Sequence, residues 1–163
     1  MRKAHEKIVS REKLISLLAS AKQRGQRVVL ANGVFDTLHV GHARYLAAAK
    51  AEGDLLVVAV NSDSSVRPLK GPNKPILDEQ ARALLVAALR AVDYVVIFPE
   101  PNIEKLLEEL RPDVHAKGTD YSADSVPEHA VAARLGIRVA IVGDPKDHST
   151  RSLFDAIRKA PHV

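Results

Sequence analysis

Five short apolar runs punctuate this chain, and a stretch of helical period separates each from the next. The runs are RVVLAN at 27–32, LLVVAV at 55–60, YVVIF at 94–98, VHAK at 114–117 and RVAIV at 138–142. They are too continuously apolar to be half-exposed, so they read as strands buried on both faces. Helices are predicted over 10–24, 40–52, 78–90, 102–110, 126–135 and 149–159. In the first of these Ser10 suits an N-cap, Leu14, Leu17, Leu18 and Ala21 recur at helical spacing, and Gly25 stands where a C′ residue belongs. Strand and helix in alternation imply a parallel sheet covered on both sides. Right-handed crossovers then narrow the α/β architecture to a Rossmann-like, doubly wound parallel sheet of about five strands with helices on both faces. The 163 residues suit one domain spanning 1–163, with residues 1–26 as an N-terminal helical extension packed on it.

Composition removes several classes of function. There is no cysteine, so disulfides, thiolate zinc sites and cysteine nucleophiles are excluded. The net charge of +4 favours an anionic ligand, but the basic residues are dispersed, and three Phe, three Tyr and no Trp make a poor stacking platform for nucleic acid. No apolar run approaches the roughly 20 residues needed to span a bilayer. The start, MRKAHEK, lacks the apolar segment of a signal peptide, so a cytoplasmic location is expected.

In sheets of this kind ligands bind beyond the carboxyl ends of the strands, where strand order reverses. Three polar clusters follow strand ends here: NGVFDTLHVGH at 32–42, NSD at 61–63 and KGTD at 117–120. Gly33 allows a tight turn, and a helix beginning at Val40 aims its N–H groups and positive dipole end at the crevice. His39 and His42, at i and i+3, share a face near that end, and Gly41 removes a side chain that would keep a ligand off the backbone. Three roles are open to the two rings. They are packed or solvated side chains, a metal-chelating pair with Asp36 as a further ligand, or hydrogen-bond donors to phosphate. The helix start favours phosphate, and no HExxH pattern supports the metal.

The string GVFDTLHVGH resembles the signature of the HxGH nucleotidylyltransferase superfamily, in which the glycine, Phe-Asp and the HxGH spacing coincide. Four further strings are VVAVNSDSSVRPLKGPNKPI at 57–76, AALRAVDYVV at 87–96, KGTDY at 117–121 and HSTRSL at 148–153. In order, they resemble the adenylyltransferase domain of the bacterial ADP-heptose pathway, known as RfaE domain II. The resemblance runs from about residue 8 to the C-terminus.

That resemblance implies transfer of AMP from ATP to a sugar 1-phosphate, D-glycero-D-manno-heptose 1-phosphate. Pyrophosphate would leave without a covalent intermediate, giving ADP-heptose for lipopolysaccharide core or related glycan synthesis. It implies catalytic roles for His39, His42 and Lys70. Nucleotide binding would fall to Asn32, Gly33, Val34, Phe35, Gly41, Asn61, Asp63, Lys117, Gly118, Asp120, Ser149 and Thr150, and acceptor binding to Asp36, Arg67 and Arg82. Mg²⁺ is expected with the nucleotide, held by phosphates and water rather than by protein side chains. The partners implied are ATP or CTP, a phosphorylated small-molecule acceptor and further copies of the chain in a homodimer or higher homo-oligomer, with no nucleic acid and no membrane.

The residues themselves also allow blander roles: a turn carboxylate for Asp36, a surface ion pair for Arg82, a solvated lysine for Lys70. The stretch RPLKGPNKP at 67–75 reads as a loop rather than a helix because of its prolines and glycine. Two positions depart from the resembled pattern. Thr119 replaces a glycine and Arg151 a hydroxyl residue, which leaves acceptor and nucleotide open. The near alternative is a cytidylyltransferase acting on glycerol 3-phosphate or another alcohol phosphate. A non-catalytic nucleotide-binding module and a tRNA-synthetase-like RNA binder, for which a KMSKS-like loop is missing, are further ones.

Overall fold

The structure, a computed structural model, describes residues 2–144 and 150–160. Its elements in chain order are α1 (Ala4–Lys7), α2 (Arg11–Gln23), β1 (Val28–Gly33), α3 (Val40–Ala51), β2 (Leu55–Asn61), α4 (Asp63–Lys70), α5 (Glu79–Ala88), β3 (Tyr94–Phe98), α6 (Glu104–Leu110), β4 (Val114–Lys117), α7 (His129–Leu135), β5 (Arg138–Ile141) and α8 (Thr150–Lys159). The five strands lie in the order β3-β2-β1-β4-β5 and every pairing is parallel. This is the doubly wound α/β sheet expected from the apolar runs. Leu30 sits opposite Val57 on one side and His115 on the other.

Alternate residues of each strand supply two separate cores. Val29 and Ala31 of β1, with Leu56, Val58 and Val60 of β2, meet Leu46 and Ala49 of α3 and Ala83, Val86 and Ala87 of α5. Val28 and Leu30, with Val57 and Ala59, meet Leu14 and Leu18 of α2 and Leu106 and Leu107 of α6. Burial on both faces explains why the runs carry no polar alternation. The N-terminal segment is built into this arrangement. Ile8 bridges to Val95 on the outer edge of β3, the ammonium of Lys7 donates to the Leu89 carbonyl, and Arg11 makes a bidentate pair with Glu100 at 2.7 Å per bond. Ser10 caps α2 by accepting from the Lys13 amide. Among the described residues no helix is long and apolar enough to cross a membrane.

The stretch expected to be a loop from residue 67 is helical as far as Lys70. Ser62 caps this helix, its hydroxyl accepting from the Ser65 amide, and Pro68 lies inside it. A proline there forfeits only the bond to the Ser64 carbonyl, and Ser64 is exposed, so water can take that acceptor. Gly71, at φ 102° and ψ 165°, then turns the chain into the true loop. The helix expected over 126–135 begins only at His129, beyond Pro127, which disfavours helical backbone in the residue before it.

From β1 the chain winds outward through β2 to β3, then returns to place β4 on the other side of β1. Strand order therefore reverses between the carboxyl ends of β1 and β4, and a crevice is expected there.

Candidate active site

The signature string leaves β1 at this crevice. Gly33 ends the strand, and a Cβ on it would lie 3.0 Å from the Phe35 ring, so glycine makes room for that ring to fold back. Phe35 itself holds φ 51°, a left-handed conformation rare for an aromatic residue. The turn brings its ring edge-on to His42, centroids 5.2 Å apart. His39 and His42 stack on one another with centroids 3.9 Å apart. The i, i+3 spacing thus gives one paired surface of two rings at the start of α3. His39 occupies the N-cap position without a side-chain cap bond, whereas Ser10, Ser62 and Asp78 cap α2, α4 and α5 with side-chain oxygens. The His42 amide already donates to the His39 carbonyl at 3.0 Å, and the amides of Val40 and Gly41 stand ahead of it at the positive end of the helix dipole, where a ligand can meet them. Among the described residues, no three His, Asp or Glu side chains gather as a metal-holding group.

Two residues expected to touch the acceptor are bonded within the protein instead. Arg82 is fully buried. Its guanidinium donates to the carbonyls of Val34 (2.6 Å), Asn61 (2.8 Å) and Leu77 (3.0 Å), and to the Asp63 carboxylate at 2.7 Å. With no surface and four bonds made, it is a bracket joining the ends of β1 and β2 to the start of α5, not a substrate ligand. Asp63, expected on the nucleotide, is the counter-ion of that bracket. Asp36 is likewise buried and accepts from the amides of Ile76 (2.6 Å) and Leu77 (3.2 Å) and from the Lys74 ammonium (3.2 Å). Its carboxylate anchors the 71–77 loop beside the signature. Lys74 in turn reaches over the Phe154 ring of α8 at 4.6 Å, so signature, loop and last helix meet around one ammonium. Arg67 and Lys70 stand exposed on the last turn of α4.

At the other lip, Asn32 next to the end of β1 meets Lys117 at the end of β4, with 3.3 Å between the Asn32 Oδ1 and the Lys117 ammonium. Gly118 has open space where a Cβ would stand, and Asp120 is exposed beyond it. Thr119 turns away, its hydroxyl donating to the Asp144 carbonyl and tying the loop after β4 to the one after β5. Asn61 ends β2, with its amide 3.5 Å from the Ser65 hydroxyl. Thr150 opens α8, where only the backbone is described, as for Arg151, and Ser149 lies outside the described residues.

Sequence reasoning passed over two residues at this lip. His115 of β4 is fully buried and bonds Asn32 at 3.2 Å, and burial pushes its pKa down to about 3, with the nearby Lys117 ammonium adding to the effect. Glu128, just before α7, is buried against Lys117 at 3.3 Å. A polar residue in an apolar strand was the only available signal for His115, and none marked Glu128.

A family model described as Cytidylyltransferase-like matches residues 30–157, from β1 to α8. The chain belongs to the cytidylyltransferase-like family. It is 44% identical to the bifunctional protein HldE of Geobacter sulfurreducens over 154 residues, covering 94% of this chain and 31% of that protein. Against the bifunctional protein HldE of Azotobacter vinelandii it is 42% identical over 154 residues, 94% of this chain and 32% of that one. This family member thus spans about a third of the length of those relatives. The crystal structure of the lipopolysaccharide core biosynthesis protein from Thermoplasma volcanium GSS1 superposes with a TM-score of 0.64 at 31% identity, covering 75% of this chain and all of that one.

Proposed function

We propose that this chain transfers AMP from ATP to a sugar 1-phosphate, D-glycero-D-manno-heptose 1-phosphate, giving ADP-heptose and pyrophosphate. The observation that carries the reading is the stacked His39–His42 pair at the start of α3, in a chain 44% identical to an HldE protein across 94% of its length. An oxygen of the acceptor phosphate attacks the α-phosphorus, the bond to the bridging oxygen breaks, and its electron pair leaves with pyrophosphate. The attacking phosphate is already ionised, so no general base is required, and catalysis is positioning and charge stabilisation. The rings of His39 and His42 and the amides of Val40 and Gly41 would donate hydrogen bonds to the triphosphate, most strongly as charge builds on the leaving group. Lys70, exposed on the last turn of α4, would add positive charge over the phosphates.

Mg²⁺ enters with the nucleotide in this reading. The carboxylates of Asp36, Asp63 and Glu128 are bonded to Lys, Arg or backbone donors, which supports an ion held by phosphates and water. The location would be the cytoplasm, where ATP is supplied, and the chain would act as a homodimer or larger assembly, which light scattering checks.

The deciding experiment is pyrophosphate release with Mg²⁺ across ATP, CTP, GTP and UTP, each with heptose 1-phosphate, glycerol 3-phosphate and other phosphorylated acceptors. Turnover confined to ATP and heptose 1-phosphate is expected. Turnover with CTP and an alcohol phosphate would favour the cytidylyltransferase reading, which the family description supports. No turnover by folded protein with any pair, while nucleotide still binds, would leave a binding module.

A further inference from the structure

A recess of about 290 Å³ opens at the opposite end of the sheet, between the N-terminal segment and the end of α5. Four cations line it, Arg2, Lys3, Lys7 and Arg90, and among the described residues no carboxylate does. It belongs to the amino ends of the strands, whereas His39 and His42 follow the carboxyl end of β1. The Arg2 guanidinium lies over the ring of Tyr94, the first residue of β3, 4.6 Å from its centre. Lys7 is 7% exposed, and its ammonium donates to the Leu89 carbonyl at 3.2 Å. An ammonium carries three N–H groups, so two donors remain on a buried side chain at the wall of the recess.

Folding explains one of these cations. Leu89 is the C-cap of α5, and a positive charge on its carbonyl suits the negative end of that helix. Three more cations around the same space repel it and one another. The carboxylates that neighbour them in sequence are engaged elsewhere. Glu6 accepts the Lys3 backbone amide at 2.9 Å, and Asp93 accepts from the Lys50 ammonium at 2.7 Å and the Leu56 amide at 2.8 Å. A polyvalent anion would relieve the repulsion. An arginine laid on an aromatic face presents its planar N–H edge, which matches two oxygens of a phosphate. Ala4 and Ala87 add an apolar surface between the charges. The volume lies near the lower bound for small-molecule sites, about 300 Å³, so one compact ligand fills it.

We propose that this recess is a second ligand site, remote from the crevice, which binds a small phosphate monoester. Arg2, Lys3, Lys7 and Arg90 hold the phosphate, and the C–H face of the ligand's body rests on Ala4 and Ala87. The site stands independently of the nucleotidyl-transfer reading.

The test is a ¹⁵N-resolved NMR titration of the full chain with ribose 5-phosphate, inorganic phosphate and L-glutamate at constant ionic strength. Ribose 5-phosphate is expected to shift the amides of Ala4, Lys7, Leu89 and Arg90 in a saturable way, several-fold more tightly than inorganic phosphate, with glutamate weakest. Amides at the crevice, Gly41 and His42, report any binding there as a separate curve. Lys3 and Arg90 are exposed, so the double variant K3Q/R90Q keeps the fold. Its affinity at the recess should fall about tenfold, the scale of a lost charge-assisted bond, with the crevice curve unchanged. Lys7→Met should abolish saturation at the recess; if it does not fold, K3Q/R90Q decides alone. The inference is overturned by shifts at the recess that do not saturate, by glutamate binding as tightly as ribose 5-phosphate, or by equal affinity in wild type and K3Q/R90Q. Shifts confined to Gly41 and His42 overturn it too, while leaving the crevice reading intact.

Discussion

At His42, sequence spacing becomes a specific surface. The ring is stacked on His39 and braced edge-on by Phe35, so its position is set by packing before any ligand arrives. Replacing it removes a donor to developing charge. His42→Ala is expected to lower kcat about 100-fold, the usual scale for such a donor, with the melting temperature shifted by no more than a few degrees. A fall in melting temperature with kcat intact would make the ring a packing residue. Arg82 should behave in the opposite way. Arg82→Met leaves the Asp63 carboxylate and three carbonyls without their donor, and breaking a buried pair of this kind costs about 3–5 kcal/mol. Urea unfolding should show that loss as a lower midpoint.

Among the elements, the 71–77 loop most needs tertiary support, because it contains no regular structure and lies between a glycine turn and α5. Asp36 provides the support by accepting two consecutive amides. Hydrogen bonds to a charged acceptor are each worth about 1.5–3 kcal/mol. Asp36→Ala is therefore expected to raise hydrogen exchange at Ile76 and Leu77 at least tenfold while leaving the β1 and β2 amides protected. Equal exchange in variant and wild type would show that the loop holds its place without the carboxylate. Helix α4 teaches a related lesson. Pro68 argued against a helix, but a well-capped short helix loses only one bond to a proline in its second turn, and an exposed carbonyl bears that loss.

At the scale of the molecule, acid should weaken the fold through His115. Its folded pKa of about 3 lies far below the ordinary 6.5. Between those values the unfolded chain holds a proton that the folded one refuses, so stability falls as pH drops through that window and is fully present above it. The slope near mid-window is about 1.4 kcal/mol per pH unit from this group alone. Glu100, held below the usual carboxylate range by its bond to Arg11, adds a loss in the same direction at lower pH. Urea midpoints measured from pH 7 to 4.5 should decline in wild type and decline less in His115→Gln. Parallel decline in both would assign the acid sensitivity elsewhere.

Much of this protein was legible as local pattern. Five apolar runs with helical intervals imply a covered parallel sheet, and the signature string marks the strand end where a ligand belongs, because chain period and turn chemistry are properties of neighbours in sequence. The partners of polar groups are not. Arg82 meets Val34 and Asn61, Asp36 meets Ile76, and Asn32 meets His115 and Lys117. Each pairing exists because two crossovers on one face and a return across the sheet bring distant strand ends together. The family resemblance cast Arg82 and Asp36 as acceptor ligands, and a charged residue near a crevice carries no mark of which way it is bonded. Strand order and burial turned them into supports, and the same strand order brought His115 and Glu128 to a site where no local motif had placed them.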